Sequence, residues 1–107
     1  MITELNAASF KSAVVEAPTP VLVDFYADWC GPCQTQIPML ERLAETVGAR
    51  AKVVKVNVDR SPELAELFHV RAMPTLILFS GGKIANRFTG LTPNQVLAAA
   101  IIAELKD

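Results

Sequence analysis

The sequence predicts a single α/β domain, in which a mixed β-sheet of four to five strands is flanked by about four helices. Two apolar runs, Val21–Ala27 and Lys52–Val58, are separated by a helical pattern, as in a parallel strand–helix–strand unit. A later pair of strand-like runs is joined by two glycines, which is typical of an antiparallel hairpin. A chain of 107 residues fits one compact domain, so we assign residues 1–107 to it.

The first helix and the first strand are bounded by residues with clear conformational preferences. Asn6 can cap a helix that runs to about Val15, and the two prolines that follow cannot continue a helix. The run Val21–Ala27 is apolar on both faces, which is typical of a central strand buried from two sides. Asp24 interrupts this run with a carboxyl group.

The middle of the chain predicts a long helix, a second strand and a short helix. Pro32 stands near the first position of the long helix, where its missing N–H does no harm. Pro38 should kink this helix, and Gly48 ends it. The valine-rich run Lys52–Val58 follows as a strand parallel to the first, and Pro62 opens the short helix after it.

The last third of the chain predicts a hairpin and a final helix. The strands Thr75–Ser80 and Lys83–Phe88 are joined by two glycines, both of which tolerate a positive φ. Thr92 and Gln95 have the spacing of a capping box, which places the start of the final helix there. We expect that helix to end at about Leu105.

The charge and hydropathy patterns exclude several classes of protein. The chain has a net charge of −1 and no basic stripe of the kind that binds nucleic acid. Its longest apolar runs are far shorter than the ~18 residues that span a membrane. The N-terminal residues Met1–Asn6 lack the basic and apolar regions of a signal peptide. We therefore expect a cytoplasmic protein with no nucleic-acid or membrane partner.

Both cysteines of the chain lie in one motif, Cys30-Gly31-Pro32-Cys33, between the first strand and the long helix. Disulfide exchange needs a thiolate, which attacks one sulfur and forms a mixed disulfide. Cys30 lies at the start of the helix, where free N–H groups and the helix dipole stabilise an anion, so we assign it as the nucleophile. Cys33 lies one turn further and closer to the core, from where it can attack the mixed disulfide as the resolving thiol.

Ordinary structural cysteines and half of a metal site are the two other interpretations of this pair. A zinc site needs about four ligands, whereas the chain has two cysteines and a single histidine, His69. We expect His69 at a helix end rather than in catalysis. The strand before the motif and the helix after it favour redox chemistry, so we assign no metal ligand.

The segments around the motif resemble those of the thioredoxin family over nearly the whole chain, from about Phe10 to the last helix. The matching segments are Val23–Cys33, Lys55–Asp59, Arg71–Leu76 and Phe88–Gly90. The resemblance implies the thioredoxin fold and a monomeric, general protein-disulfide reductase that acts on disulfide-containing proteins. It also implies that a thioredoxin reductase, which carries flavin and uses NADPH, recycles the Cys30–Cys33 disulfide, with no cofactor bound to this chain.

The resemblance adds roles for residues that the sequence pattern leaves open. By strand alternation Asp24 faces the apolar interior, where burial raises the pKa of a carboxyl group; a hydrogen-bonded residue at a strand end is the alternative. In the family, the matching aspartate lies beneath the resolving cysteine and manages its proton, and the lysine matching Lys55 influences its titration. The pattern alone makes Lys55 an alternating strand residue with its head in water. The family also has a cis proline at the position of Pro74, packed against the disulfide.

An apolar patch around the motif is expected to dock substrates. Trp29 is next to the nucleophile and is better placed to shield the thiol and form a recognition surface than to fill the core. In the family, the residue before the cis proline, here Met73, offers backbone hydrogen bonds to the substrate chain. The expected docking residues are Trp29, Gly31, Pro32, Met73, Pro74, Thr89, Gly90 and Leu91.

Four residues depart from the commonest pattern of the family. Tyr26 stands where tryptophan is frequent, and Met73 replaces isoleucine or valine before the proline. Asp28 stands two positions before the nucleophile, and Gln34 replaces a usual basic residue. A nearby carboxylate and a missing cation should each raise the pKa of the nucleophilic thiol slightly.

Two rival functions stay open from the sequence. The first is a thiol oxidant or isomerase of the same fold in an oxidising compartment, against which the missing leader and the Gly-Pro pair between the cysteines both count. The second is a non-catalytic binding subunit of the thioredoxin fold, in which the thiols are incidental. The cysteine pair together with Asp24, Lys55 and Pro74 argues against binding as the only role.

Overall fold

The computed structural model describes residues 1–105, which form a five-stranded mixed sheet and four α-helices. The strands are β1 (Thr3–Glu4), β2 (Val21–Tyr26), β3 (Lys52–Asn57), β4 (Thr75–Ser80) and β5 (Lys83–Thr89). The helices are α1 (Ala7–Phe10, extended by a π-helical segment, Lys11–Val15), α2 (Gly31–Val47, extended by a 3₁₀ turn, Gly48–Arg50), α3 (Pro62–Leu67) and α4 (Asn94–Ala103). The strand order is β1-β3-β2-β4-β5, with β1, β3 and β2 parallel and β4 antiparallel to both its neighbours. The predicted α/β class and mixed sheet are confirmed.

The central strand β2 is buried along its whole length, and its alternation divides the core into two layers. On one face, Leu22 packs with Leu40 of α2 and with apolar residues of α4. On the other face, Phe25 packs with Phe10 of α1 and Leu64 of α3. Because β2 leads directly into the motif at the start of α2, the sheet fixes where the motif stands relative to β3 and β4.

Most predicted elements agree with the observed bounds within one or two residues. The cap of α1 is confirmed, since the Asn6 side chain accepts the Ser9 N–H at 3.0 Å and the Ser9 hydroxyl accepts the Asn6 N–H at 3.1 Å. Gly48 ends α2 with a φ of +56°, and the two hairpin glycines have φ values of +60° and +79°. Pro38 lies inside α2, and the kink expected there stays a prediction.

The capping box expected at Thr92 and Gln95 is wrong. Helix α4 begins at Asn94, with Pro93 in the N-cap position. The Thr92 hydroxyl donates instead to the carbonyl of Gly90 at 2.9 Å. The backbone of Thr92 is bound to the side chain of a distant residue on α2, which holds it outside the helix.

The edge strand β1 was not expected from the sequence. It has two exposed residues, Thr3 and Glu4, which pair with Val54 and Lys55 of β3. Two residues are too few to show the alternation that identifies a strand. This short strand nevertheless brings the carboxyl group of Glu4 to the edge of the sheet beside β3.

Candidate active site

The two cysteines lie at the junction of β2 and α2. Cys30 occupies the N-cap position of α2, and Cys33 is the third residue of the helix. They form a disulfide, with their Cα atoms 5.3 Å apart. Cys30 is 6% exposed whereas Cys33 is fully buried, so the residue assigned as nucleophile is the one that a substrate can approach.

The sulfur of Cys30 faces the positive end of α2. The backbone N–H of Cys33 is directed at it over 3.3 Å, in the position where an N-cap side chain accepts a hydrogen bond. Free N–H groups at a helix N-terminus stabilise negative charge and lower the pKa of a thiol. The carbonyl oxygen of Met73 lies 3.4 Å from the same sulfur, so a protonated Cys30 can donate to it in the reduced protein. Both protonation states of the thiol therefore have a partner.

The loop before β4 and the loop after β5 form one wall beside Cys30. The peptide bond Met73–Pro74 is cis, as the resemblance implies. Gly90 donates its N–H to the carbonyl of Pro74 at 2.7 Å. Its φ of +89° favours glycine, so the turn that delivers this N–H depends on the missing side chain.

The expected docking residues range from exposed to buried. Trp29 is 68% exposed, and its indole N–H donates to the carboxylate of Asp59 at 2.8 Å. Leu91 is half exposed at the other end of the set. Of the remaining residues, those exposed are Gly31, Pro32 and Thr89, those half-buried are Met73 and Gly90, and the one buried is Pro74. Exposed apolar side chains thus lie in the segments next to the disulfide, and their use in docking stays a prediction.

Asp24 lies in the middle of β2, fully buried between Leu22 and Tyr26 on the face that α2 covers. Neither of its carboxylate oxygens has a hydrogen-bond partner among residues 1–105, so the alternative of a hydrogen-bonded strand-end residue is wrong. Burial raises the pKa of Asp24 to about 7, and the charge of Lys55 opposes part of that rise. A carboxyl group that titrates near neutral pH is suited to proton transfer.

Lys55 is half-buried and lies directly opposite Asp24 in the β2–β3 ladder. Its ammonium nitrogen is 5.3 Å from the centre of the Tyr26 ring, where an aromatic face attracts a cation. The head of Lys55 therefore lies against a buried ring, which the alternation pattern alone did not indicate.

A polar network around Arg60, which no sequence pattern predicts, joins β1 to the loop before Cys30. Arg60 donates to both carboxylate oxygens of Glu4, each at 2.8 Å, and to the hydroxyl of Tyr26 at 3.0 Å. It also donates to the carboxylate of Asp28 at 3.3 Å. The negative charge of Asp28, two positions before Cys30, is therefore paired with the positive charge of Arg60. The hydrogen bonds from Arg60 are the main cause that lowers the pKa of Glu4 to about 2. No local pattern links partners so far apart in the chain.

Gln36 is a second residue of the site that was not predicted from the sequence. Its buried amide donates to the carbonyl of Thr92 at 2.9 Å and accepts the N–H of Thr92 at 2.8 Å. This pair of bonds fastens the loop after β5 to α2. A signal was present, because Gln36 falls in the row of Cys33, Leu40 and Leu43 at helical spacing, where an apolar residue is expected.

Comparisons with known proteins assign this chain to a family. The family model described as Thioredoxin matches residues 1–103. The chain belongs to the thioredoxin family. It is 38% identical over 98 residues to Thioredoxin of Synechocystis sp., which covers 92% of each chain. It is 42% identical over 91 residues to Thioredoxin 1 of Synechococcus elongatus, which covers 85% of each. It is 43% identical over 93 residues to Thioredoxin Y2, chloroplastic, of Arabidopsis thaliana. Those 93 residues make up 87% of this chain and 56% of that protein.

Family membership and the Cys30–Cys33 pair identify a thiol–disulfide reductase with the thioredoxin fold. The two rival functions, an oxidant or isomerase and a non-catalytic binding subunit, are not favoured. Membership of the family also implies disulfide-containing substrates and a reducing partner in general.

Within residues 1–105, no group of three or more His, Cys, Asp or Glu side chains could hold a metal ion. No helix in that range has the length and apolar character to cross a membrane.

Proposed function

We propose that the protein is a general protein-disulfide reductase in which Cys30 is the nucleophile and Cys33 the resolving thiol. One feature supports this above all others. The sulfur of Cys30 lies at the N-terminus of α2 with the N–H of Cys33 directed at it, and Cys33 is buried behind it. A thiolate in that position is stabilised by the helix and can be reached by a substrate.

The reaction transfers two electrons from the dithiol to the substrate. The Cys30 thiolate attacks one sulfur of the substrate disulfide, forms a mixed disulfide and releases the other substrate sulfur as a thiolate, which takes up a proton. Cys33 gives up its proton and attacks the Cys30 sulfur, and the bond between Cys30 and the substrate breaks. The substrate leaves with both sulfurs reduced, and the Cys30–Cys33 disulfide remains.

Asp24 is proposed to accept the proton that Cys33 gives up when it attacks. This carboxyl group lies on the face of the sheet beneath α2, in line with Tyr26, which packs in one cluster with Cys33. Its pKa of about 7 allows it both to accept and to release a proton near neutral pH. Lys55 favours the ionised carboxyl group, which is the form that accepts the proton.

An extended segment of the substrate is the proposed occupant of the apolar surface around Cys30. The backbone of Met73 is adjacent to the reactive sulfur, so a substrate strand that pairs with it carries its disulfide to Cys30. Two exposed apolar side chains belong to the segments that meet there, Trp29 next to Cys30 and Leu91 next to Gly90. The proposed docking set is Trp29, Gly31, Pro32, Met73, Pro74, Thr89, Gly90 and Leu91.

Recycling needs a reductant, for which we propose a thioredoxin reductase that carries flavin and uses NADPH. The chain itself carries the electrons in its two thiols. We propose the cytoplasm as its compartment, because a chain whose only two cysteines form a redox motif fits a reducing environment. The working unit is proposed to be a monomer, since one chain supplies both thiols and the surface around them.

Two serine variants test the roles of the cysteines. Cys33→Ser keeps the nucleophile and loses the resolving thiol, so it should accumulate mixed disulfides with a disulfide-containing protein such as insulin. These adducts are measured on non-reducing gels and disappear with dithiothreitol. Cys30→Ser should form no adducts and show no turnover. A Cys33→Ser protein without adducts, alongside an active wild type, would overturn the assignment.

A further inference from the structure

A row of three ionisable side chains crosses the sheet beneath α2. Lys55 of β3 pairs with Glu4 of β1 on one side and with Asp24 of β2 on the other. Residues paired in register have side chains on the same face of the sheet, so one cation lies between two carboxyl groups. Glu4 and Asp24 are separated by two strand spacings, or roughly 9.6 Å.

The two carboxyl groups of this row have different partners. Both oxygens of Glu4 accept hydrogen bonds from Arg60 at 2.8 Å, and the Tyr26 hydroxyl donates to one of them at 2.7 Å. Asp24 is fully buried without a hydrogen-bond partner among residues 1–105, and the cation that acts on it is Lys55. Arg60 therefore supplies the main interaction of Glu4, to which Lys55 adds only a minor one, whereas Lys55 is the cation that acts on Asp24.

We propose that the Arg60–Glu4 ion pair sets how strongly Lys55 favours the ionised form of Asp24. Without Arg60, the carboxylate of Glu4 would compete for the ammonium group of Lys55 and would also repel an ionised Asp24. Without Glu4, Arg60 adds an uncompensated positive charge to the same region, which favours the ionised form of Asp24. Glu4 and Arg60 are thus positioning residues, and only their effect on turnover rests on the proposed role of Asp24.

Tyr26 holds the ion pair and the row together. Its ring lies 5.3 Å from the ammonium nitrogen of Lys55. Its hydroxyl is fixed at the other end, where it donates to Glu4 at 2.7 Å and accepts from Arg60 at 3.0 Å. Tyr26 therefore contacts both the exposed guanidinium group of Arg60 and the ammonium group of Lys55, which pairs with Asp24 in the sheet.

The other titratable groups that face Asp24 are few. Within the described part of the chain, they are Tyr26, next on the same face of β2, and the two cysteines of α2, which cluster with Tyr26. On β4 the residue paired with Asp24 is Leu76, and α4 contributes apolar side chains to this face. Disulfide-bonded cysteines do not titrate. In the oxidised protein, the pKa of Asp24 therefore reports the charges of Glu4 and Lys55 without a contribution from the thiols.

The test is the titration of the Asp24 carboxyl carbon by NMR in oxidised protein with labelled aspartate. The chain has four aspartates, and the Asp24→Asn protein identifies the signal. Arg60→Gln should raise the pKa of Asp24 by about 1, the size expected of a charge ~10 Å away at an effective dielectric constant of ~20. Glu4→Gln should lower it by a similar amount. The double variant should stay near the wild-type value, because the pair is then removed as a whole.

Two further variants control the experiment. Arg87→Gln removes a guanidinium group from the other face of the sheet, where Arg87 donates to the carbonyls of Phe68 and His69, and it should leave the titration of Asp24 unchanged. As a single variant, Lys55→Gln should raise the pKa of Asp24. In a Lys55→Gln background, Arg60→Gln should change that pKa less than it does in the wild type. That dependence would show that the ion pair acts through Lys55.

Opposite signs for the two single variants separate this proposal from a merely structural role. A loosened structure would admit water to Asp24 in both variants and would lower its raised pKa in both. That result, or two unchanged values, would overturn the proposal. The titration needs no turnover. If Asp24 serves Cys33, the pH profile of the resolving step moves with the titration; if it does not, the titration moves alone.

Discussion

Replacing Asp24 with asparagine should stabilise the protein at neutral and alkaline pH. On folding, the pKa of this buried carboxyl group rises from 3.8 to about 7. A carboxyl group whose pKa is raised in the native state keeps its proton there, so its burial has no charge cost below about pH 4. As the pH rises from there to about 7, the unfolded chain releases the proton first and stability is lost. Asparagine has no charge to bury at any pH.

The size of the effect follows from the two pKa values. Each pKa unit that separates the native and unfolded states corresponds to about 1.4 kcal/mol. For a pKa that rises from 3.8 to about 7 on folding, the wild type should lose about 4 kcal/mol relative to Asp24→Asn between about pH 4 and about pH 8. This is a large share of the ~5–15 kcal/mol by which small domains are stable.

Guanidinium chloride unfolding of the oxidised proteins, followed by the fluorescence of Trp29, measures the difference in unfolding free energy at each pH. Groups common to both proteins, such as Glu4, cancel in that difference. Glu41→Gln removes an exposed carboxylate from α2 and serves as the control, which should differ from the wild type by a constant amount. The reasoning is refuted if the wild type and Asp24→Asn also differ by a constant amount from about pH 4 to about pH 8.

Two other substitutions test the contacts that the sequence did not reveal. Gln36→Leu should cost about 3 kcal/mol of unfolding free energy, because it leaves the buried N–H and carbonyl of Thr92 without their partner. Denaturant unfolding measures it against Gln34→Leu at an exposed position, and an equal loss in both proteins would contradict it. Glu4→Gln should remove part of the loss of unfolding free energy that the wild type shows in acid. Because Arg60 lowers the pKa of Glu4 from 4.5 to about 2, the contribution of the pair is complete above about pH 4.5 and is lost as the pH falls to about 2. The unfolding free energies of wild type and variant should converge over that range, and a constant gap would argue against the pair.

Elements whose own residues determine their conformation could be predicted from the sequence. The apolar run of β2 and the two glycines of the hairpin required no knowledge of distant contacts. Asn6 likewise caps α1 through Ser9, three positions away. The burial of Asp24 followed from strand alternation, but its lack of hydrogen-bond partners within residues 1–105 depends on which side chains surround it.

Features that depend on contacts between distant residues could not be predicted. Thr92 has the local spacing of a capping box, yet Gln36 binds its backbone from 56 positions away and holds it outside α4. Glu4 belongs to a strand of two residues, and its partner Arg60 is also 56 positions away. In each case a tertiary hydrogen bond overrides or supplements the local preference.

The wall beside Cys30 comes from a different part of the chain than the reacting groups. The thiols, the buried acid and its cation all lie between residues 24 and 55, whereas the cis proline and the glycine bound to it flank the β4–β5 hairpin. The surroundings of Cys30 are therefore assembled from two separate stretches of the chain, one that carries the thiols and one that begins after residue 70. A substitution after residue 70 can change the wall beside Cys30 without replacing either thiol, the buried acid or its cation.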